Sequence, residues 1–366
     1  MRTKHSRKKR ILVLYTGGTF GMDANLKIPD LSANALKLRL SEQVPEMEKL
    51  ADCEVEIISN LDSCEMNSTH WFTLALRLNQ AKKDFDGAVI LHGTDTLPFT
   101  ASALSFLLSP CPFPIVLTGA QKPLATLRND ARNNFISSLE LATLAPAELQ
   151  NRVLVVFHDE VFLGSRIRKK SALDFSAFES PRFPVLAKIG STMIFQDAIS
   201  HLPTLARENL VFSHLIKNKP RASASLFPSL LRIEITPHFP SSVFTDVMLK
   251  KIDGILLTLY PSGTAPSLDL KFMEFLKRAK KTHTPVFAIT EREDAPIKLS
   301  TYGSGKLLEE EGVIWCHDLT PEASFVRACF LKLIHHKLSR ENFLNTLKIK
   351  NARLWNTPLS DEKTDL

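Results

Sequence analysis

The chain has 366 residues, 44% of them hydrophobic and 23% charged, which is typical of a soluble globular protein and long enough for two domains. The formal net charge is +7, and the five cysteines are widely spaced without a C-x-x-C pair, which argues against a disulfide framework and a zinc site. No segment approaches the roughly 20 apolar residues of a membrane span, and we expect a cytoplasmic protein.

A basic arm precedes the first apolar run of the sequence. It contains Arg2, Lys4, Arg7, Lys8, Lys9 and Arg10. Short terminal charge runs are usually solvated tails, and no interleaved aromatic residues accompany this one. The apolar run that follows, 11–15, is too short for a signal peptide. Nucleic acid is therefore not an expected partner, although binding through the arm stays an alternative.

The first 160 residues alternate β-rich runs with helical patterns. Because they are apolar and mostly β-branched, we predict buried strands at 11–15, 54–58, 88–91, 115–117 and 153–157. Apolar residues at helical spacing predict helices at 69–82, 97–108 and 129–144. This alternation indicates βαβ units, a parallel sheet and helices on both of its faces.

Periodicity is weak between residues 196 and 228 and then resumes. Further strands are predicted at 231–235, 254–260, 286–289 and 313–316, and further helices at 242–250, 268–281, 305–311 and 322–337. The predicted fold class is α/β, with a larger flavodoxin-like, doubly wound N-terminal domain and a smaller C-terminal α/β domain. The predicted bounds are 10–200 for the first domain, 201–225 for a linker, 226–338 for the second domain and 339–366 for a tail.

Three loops rich in glycine and threonine follow predicted strands. They read Thr16-Gly17-Gly18-Thr19, His92-Gly93-Thr94-Asp95-Thr96 and Thr118-Gly119-Ala120-Gln121. In open parallel sheets, ligands bind at the carboxyl ends of the strands, near a switch in strand order. The chain lacks a phosphate-loop, H-E-x-x-H or G-x-S-x-G motif. The remaining hydroxyls, with acid and lysine partners, suit nucleophilic acyl transfer.

Two of these loops lie in blocks that resemble the signature blocks of bacterial-type L-asparaginases. The blocks are ILVLYTGGTFGM at 11–22 and VILHGTDT at 89–96. The similarity continues through 100–106, 114–123, 164–166 and 178–181, and more weakly to about residue 335. The resemblance is greater to the cytoplasmic type I branch than to the secreted type II branch. It implies hydrolysis of L-asparagine to L-aspartate and ammonia through an acyl-enzyme intermediate, without a metal or organic cofactor.

The resemblance also implies a set of catalytic residues. Thr19 matches the nucleophile of the family, and Thr94, Asp95 and Lys169 match a second catalytic set. In that set, the ammonium lowers the free-energy cost of deprotonating a hydroxyl, and the carboxylate holds the ammonium in place. Lys170 is the alternative to its neighbour Lys169.

Further residues match positions that bind the substrate. Ser63 matches the serine that holds the α-carboxylate, and Asp95 is expected to meet the α-ammonium as well. The substrate-binding set is completed by Gly18, Gly93, Thr94 and Ala120. We expect His92 to brace its loop rather than to transfer protons.

Three departures from the family pattern bear on activity and control. The loop tyrosine of the family has no counterpart, with Lys27 standing about where it belongs. Thr264 stands where the family has an asparagine that reaches a neighbouring subunit. The segment 290–292 reads Thr-Glu-Arg and lacks the cysteine implicated in allosteric control of type I relatives, so we do not predict that control.

Several alternatives therefore stay open at this point. One is a broader amidase that also accepts L-glutamine, and another is a catalytically weak paralogue that only binds an amino acid. A third is the archaeal-type subunit that releases ammonia for amidation of glutamyl-tRNA; it is disfavoured because only about ten residues precede the first strand. The resemblance implies a homodimer or a dimer of dimers (a homotetramer).

Overall fold

The structure is a computed structural model, and it describes residues 7–23, 25, 32–202, 227–290, 303–317, 319–335, 339 and 341–342. The described residues divide into two compact units. The first contains the residues up to Ser180 and those from Pro184 to Leu202, and the second contains Pro181–Phe183 and the residues from Phe227 onward. Most of the predicted linker and tail lies outside the described residues.

The first unit is built on an eight-stranded sheet. Its parallel part consists of β1 (Arg10–Gly17), β2 (Asp52–Leu61), β3 (Gly87–Leu91), β4 (Ile115–Thr118) and β5 (Val153–Phe157). Their order, β2-β1-β3-β4-β5, is the flavodoxin-like one, and it places a switch point between β1 and β3. The predicted doubly wound fold and all five predicted strands are confirmed.

The parallel strands form the core of this unit. Every residue of β3, β4 and β5 is buried, and so is β1 beyond its first residue. Because successive side chains point to opposite faces of a sheet, this uniform burial shows that both faces are covered. The covering helices are α1 (Ala33–Gln43), α2 (Met47–Leu50), α3 (Ser68–Gln80), α4 (Leu97–Leu107) and α5 (Ala131–Leu144).

The sheet also has an antiparallel part that the sequence analysis does not predict. Strand β6 (Glu160–Leu163) pairs antiparallel with β5. Beyond β6, the edge of the sheet is extended by β9 (Ala187–Ile189) and β10 (Met193–Phe195). A separate two-stranded ribbon is formed by β7 (Arg168–Lys169) and β8 (Phe178–Glu179). The turn from β5 to β6 has only two residues, and His158 adopts φ 53° there. Glycine usually occupies such a position, so the sequence lacks the expected hairpin signal.

Helices α1 and α2 are also absent from the sequence prediction. In α1 the leucines at 36, 38 and 40 recur at every second residue, which is a strand-like spacing. Leu36 and Leu40 are buried, whereas Leu38 is 61% exposed. The helix begins after Ser32, whose hydroxyl accepts a hydrogen bond from the Ala35 amide at 3.2 Å, the usual N-terminal capping interaction.

The second unit contains a four-stranded parallel sheet. Its strands run in chain order as β11 (Leu230–Glu234), β12 (Gly254–Leu259), β13 (Val286–Thr290) and β14 (Ile314–Trp315). The described residues of this unit also form the helices α6 (Asp246–Lys251), α7 (Leu270–Lys281), α8 (Gly303–Glu310) and α9 (Pro321–Ile334). The core includes the contacting rings of Phe239, Phe244, Phe272 and Phe275. The predicted smaller α/β domain is confirmed.

One helix of this unit differs from its prediction. Residues 242–250 are predicted as a single helix, but Ser241–Val243 forms a 3₁₀ turn and α6 begins only at Asp246. The hydroxyl of Thr245 accepts a hydrogen bond from the Met248 amide at 3.3 Å and caps the helix. Within the described ranges, no helix is long and apolar enough to cross a membrane.

Candidate active site

Loops from β1, β2 and β3 touch at the carboxyl ends of these strands. A Cβ atom added to Gly18 would lie 2.4 Å from the Gly93 Cα, and a Cβ added to Gly93 would lie 2.6 Å from the Ser63 Cβ. Both distances are shorter than any real Cβ contact, so the two glycines are what allows this approach. Thr19 and Thr94 each directly follow one of the touching glycines.

Hydrogen bonds hold the three loops in this arrangement. The Gly18 amide donates to the Leu61 carbonyl at 3.0 Å, and the Thr96 hydroxyl donates to the Ser63 carbonyl at 2.7 Å. Thr19 is half-buried and begins a 3₁₀ turn that runs to Gly21. The sequence places these loops at the switch point, and the structure shows that the end of β2 and its loop are hydrogen-bonded directly to the other two loops.

Gly18 provides a test of this close approach. Its φ of 81° and ψ of −178° lie in a region that is almost exclusive to glycine. We expect Gly18→Ala to lower the free energy of unfolding by about 2 kcal/mol or more, measured by urea denaturation. Gly190→Ala is the matched control, since a Cβ there meets no atom within 4 Å. Equal stability of the two variants would contradict the close packing of the loops.

A second cluster joins three of the predicted site residues. The Lys169 Nζ donates to the Thr94 Oγ1 at 2.7 Å and to the Asp95 Oδ1 at 2.7 Å. Thr94 is buried, whereas the Asp95 side chain is 67% exposed and remains accessible to a ligand. Lys169 pairs with the buried Phe178 across the β7–β8 ribbon, which fixes the position of its backbone. Lys170, the sequence alternative, is exposed.

His92 braces the β3 loop, as expected from the sequence. Its Nδ1 lies 2.7 Å from the Gly93 carbonyl, which can only accept, so Nδ1 carries the hydrogen. Its Nε2 therefore accepts from the Thr100 hydroxyl at 2.9 Å. That hydroxyl in turn accepts from the Trp71 indole N–H at 3.0 Å. The chain of bonds connects α3 and α4 to the loop and uses both ring nitrogens of His92.

The titration of His92 gives a prediction about stability and pH. Burial lowers the pKa of His92 from 6.5 to about 4. The unfolded chain therefore binds more protons than the folded chain between these values, and the stabilisation is complete above pH 6.5 and is lost as the pH falls towards 4. We expect the stability difference between wild type and His92→Gln to shrink over this interval, by on the order of 3 kcal/mol. A pH-independent difference in urea unfolding would contradict this.

Two residues that fix the β4 loop are not predicted from the sequence. The Asp130 carboxylate accepts hydrogen bonds from the backbone amides of Gln121 and Lys122, at 2.9 and 3.0 Å. The Asn134 amide donates to the Gly119 carbonyl at 3.0 Å and to Asp130 at 3.1 Å. Asp130 and Asn134 are both buried, four residues apart at the start of α5. Polar residues at that spacing on a buried helical face were the available signal.

The same loop carries Ala120, one of the predicted substrate-binding residues. Ala120 is 1% exposed at the carboxyl end of β4, and its neighbour Gly119 packs against the β3 loop. A Cβ added to Gly119 would lie 2.3 Å from the His92 carbonyl oxygen and 3.6 Å from the Thr94 methyl carbon. The β4 loop thus joins the cluster formed by the other three.

The departures from the family pattern lie partly outside the described residues. Lys27 lies there, as do the residues at 291 and 292. Thr264 closes a turn in the second unit, in which its carbonyl accepts from the Tyr260 amide at 3.1 Å.

Cys64 is exposed beside Ser63, and a hydrogen bond with Asp62 raises the pKa of its thiol, so it is not an activated nucleophile.

In the part of the chain that the structure describes, no group of three or more His, Cys, Asp or Glu side chains is placed to bind a metal ion. The charged side chains of the site are instead an ammonium and a carboxylate in direct contact. Such a pair can stabilise a deprotonated hydroxyl and bind a zwitterionic ligand.

Comparisons with known proteins agree with this geometry. Residues 10–200 match the model of the asparaginase N-terminal domain, and residues 231–335 match that of the glutaminase/asparaginase C-terminal domain. L-asparaginase 1 of Escherichia coli strain K12 is 31% identical over 349 residues, which cover 94% of this chain and 96% of the relative.

Two solved structures are similar over almost their whole length. The thermostable L-asparaginase from Thermococcus kodakarensis superimposes with a TM-score of 0.78 at 27% identity, covering 95% of this chain and 99% of that one. L-asparaginase I from Vibrio cholerae gives a TM-score of 0.76 at 28% identity, covering 93% and 97%.

The chain has hydroxyl, lysine and carboxylate groups at the switch point of a doubly wound sheet, and its matches to the asparaginase models and to L-asparaginases define its class as amidohydrolase. The chain belongs to the asparaginase family, and its structural neighbours include type I bacterial enzymes. The resemblance seen in the sequence is thereby confirmed.

Proposed function

We propose that the enzyme hydrolyses L-asparagine to L-aspartate and ammonia by double displacement at Thr19. The Thr19 oxygen attacks the carbon of the side-chain amide, and the nitrogen leaves as ammonia with the proton that the hydroxyl gives up. Water then hydrolyses the resulting aspartyl ester and regenerates the hydroxyl. Loop N–H groups stabilise the oxyanion, and each donor contributes about 3 kcal/mol to lowering the barrier.

One observation carries this proposal. Lys169 donates hydrogen bonds of 2.7 Å to both Thr94 and Asp95. These two residues follow Gly93, which touches Gly18, the residue before Thr19. An ammonium beside two hydroxyl-bearing loops lowers the free energy of an alkoxide, which a threonine nucleophile requires. In the proposal Thr94 supplies the second hydroxyl, for activation of the nucleophile or of the attacking water.

The remaining predicted residues have roles in binding. Ser63 is buried where the loops touch and is proposed to hold the α-carboxylate, and the exposed Asp95 is proposed to bind the α-ammonium. Contacts to both groups on the substrate's Cα would fix that carbon and so orient the side-chain amide towards Thr19. Gly18, Gly93 and Ala120 are proposed to offer backbone groups, because a missing side chain or a single methyl group lets a ligand approach the backbone closely.

We also propose a preference between the two amide substrates and an oligomeric state. L-asparagine is favoured over L-glutamine because L-asparaginase 1 of Escherichia coli and the Thermococcus kodakarensis L-asparaginase each match more than 90% of both chains. We infer a homodimer or a dimer of dimers from the family resemblance, with a cytoplasmic location. Light scattering of the purified enzyme would measure the mass directly, and a monomer that retains full activity would contradict the assembly.

The test is ammonia release from purified wild-type enzyme. We expect release from L-asparagine with a higher kcat/KM than from L-glutamine, in the absence of tRNA. Comparable values for the two amides would favour the broader amidase. Binding of L-asparagine without ammonia release would instead support the weak, amino-acid-binding paralogue and would defeat the hydrolase proposal.

A further inference from the structure

Gln121 occupies a position that the proposed reaction does not yet use. Its side-chain oxygen lies 3.4 Å from the Thr94 hydroxyl, and its side-chain nitrogen lies 3.1 Å from the Asp174 carbonyl. A carbonyl only accepts hydrogen bonds, so the nitrogen must face Asp174 and the oxygen must face Thr94. Two bonds from its backbone amide to Asp130 hold the residue from the other side.

The Thr94 hydroxyl has one hydrogen and two possible acceptors for it. While Lys169 is an ammonium, it donates to the Thr94 oxygen at 2.7 Å and cannot accept. The hydrogen of Thr94 is then available to Gln121, whose oxygen is placed to receive it. If Lys169 loses a proton, its lone pair competes with the Gln121 oxygen for the same hydrogen.

We propose that Gln121 is a positioning residue that takes the Thr94 hydrogen and so favours the charged form of Lys169. The inference rests on the proposed function, in which the Lys169 ammonium stabilises the deprotonated nucleophile. Gln121 acts through Thr94, and it also ties the turn of the β7–β8 ribbon to the β4 loop through Asp174. It therefore sets the direction in which the Thr94 hydroxyl donates, and it anchors the ribbon that carries Lys169.

The two roles can be separated by one substitution that removes the hydrogen-bond acceptor for Thr94 and another that strengthens it. Gln121→Leu removes the acceptor and leaves the Lys169 lone pair as the remaining partner for the Thr94 hydrogen. Gln121→Glu supplies a stronger, negatively charged acceptor near the ammonium. Both variants lose the bond to the Asp174 carbonyl, so a purely structural role predicts the same change in both. The other charged groups near Lys169 are retained in both variants: Asp95, Arg168, Lys170, Asp174 and Glu179.

The first readout is the pH dependence of kcat with L-asparagine. We expect the alkaline limb to move to lower pH in Gln121→Leu and to higher pH in Gln121→Glu, by about half a unit each. Gln150→Leu is the matched control, because its amide also donates to a backbone carbonyl, that of Ala145, away from the site. If the alkaline limbs of the two variants moved in the same direction, or if neither moved, the inference would be overturned.

A second readout does not depend on turnover. Only the uncharged amine reacts with acetic anhydride, so labelling of Lys169 at a fixed alkaline pH reports its charged fraction. By peptide mass spectrometry we expect about three-fold faster labelling in Gln121→Leu and about three-fold slower labelling in Gln121→Glu, relative to wild type. Wild type without asparaginase activity would defeat the proposed function, whereas equal labelling of the three proteins would defeat the role of Gln121.

Discussion

Replacing Thr19 with alanine is expected to reduce kcat for L-asparagine by a factor on the order of 10⁴ or more, as loss of a nucleophile does in other acyl-transfer enzymes. The substitution removes only the hydroxyl and methyl groups of a half-buried side chain. The loop bonds next to it use backbone atoms, including the Gly18 amide donating to Leu61 at 3.0 Å. The fold and substrate affinity should therefore persist while ammonia release is lost.

The control for this experiment removes a hydroxyl elsewhere in the same unit. Thr73 lies on α3, and its exposed hydroxyl donates to the Thr69 carbonyl at 2.9 Å. Thr73→Ala should retain wild-type kcat. Circular dichroism and L-aspartate binding would show that Thr19→Ala is folded and binds ligand. Turnover near the wild-type rate in Thr19→Ala would remove this residue from the nucleophile's role.

Replacing Lys169 with methionine should lower kcat by a factor on the order of 10³ with a smaller change in KM. Methionine keeps most of the length of the lysine side chain but removes its charge and donors. Thr94 and Asp95 would each lose a hydrogen bond of 2.7 Å, and the buried hydroxyl would lose its cationic neighbour. The loss concerns charge that develops in the transition state, so it should appear mainly in kcat.

Lys170 supplies the matched control for that substitution. It is the next residue in the chain, it is exposed, and its backbone amide donates to the Ala177 carbonyl at 2.8 Å whatever its side chain is. Lys170→Met should leave kcat almost unchanged. If Lys170→Met were the inactive variant, the sequence alternative would be right and the contact at Lys169 would be irrelevant to turnover.

The parallel core of the fold could be predicted from the sequence because burial on both faces produces continuous apolar runs. Strands such as 153–157 carry that pattern without interruption. The antiparallel additions could not be predicted in this way. Their strands are short, and the turn at His158 reaches positive φ without the glycine that would mark it.

The candidate site shows the same division between local and distant information. The motifs at 16–19 and 92–96 identify the two loops, and parallel pairing brings the carboxyl ends of their strands together. The sequence could not show that Gly18 and Gly93 touch, since the contact depends on the register of two strands and on backbone angles. A functional role of Gln121 could not be predicted from the sequence, because both of its side-chain partners are distant in the chain.

The most direct measurement is a crystal structure of the enzyme with L-aspartate, the proposed product. We predict one ligand whose side-chain carboxyl carbon lies within reach of both the Thr19 and Thr94 hydroxyls, with its α-carboxylate at Ser63 and its α-ammonium at Asp95. A ligand bound elsewhere, or two threonine side chains that open into separate cavities, would contradict it.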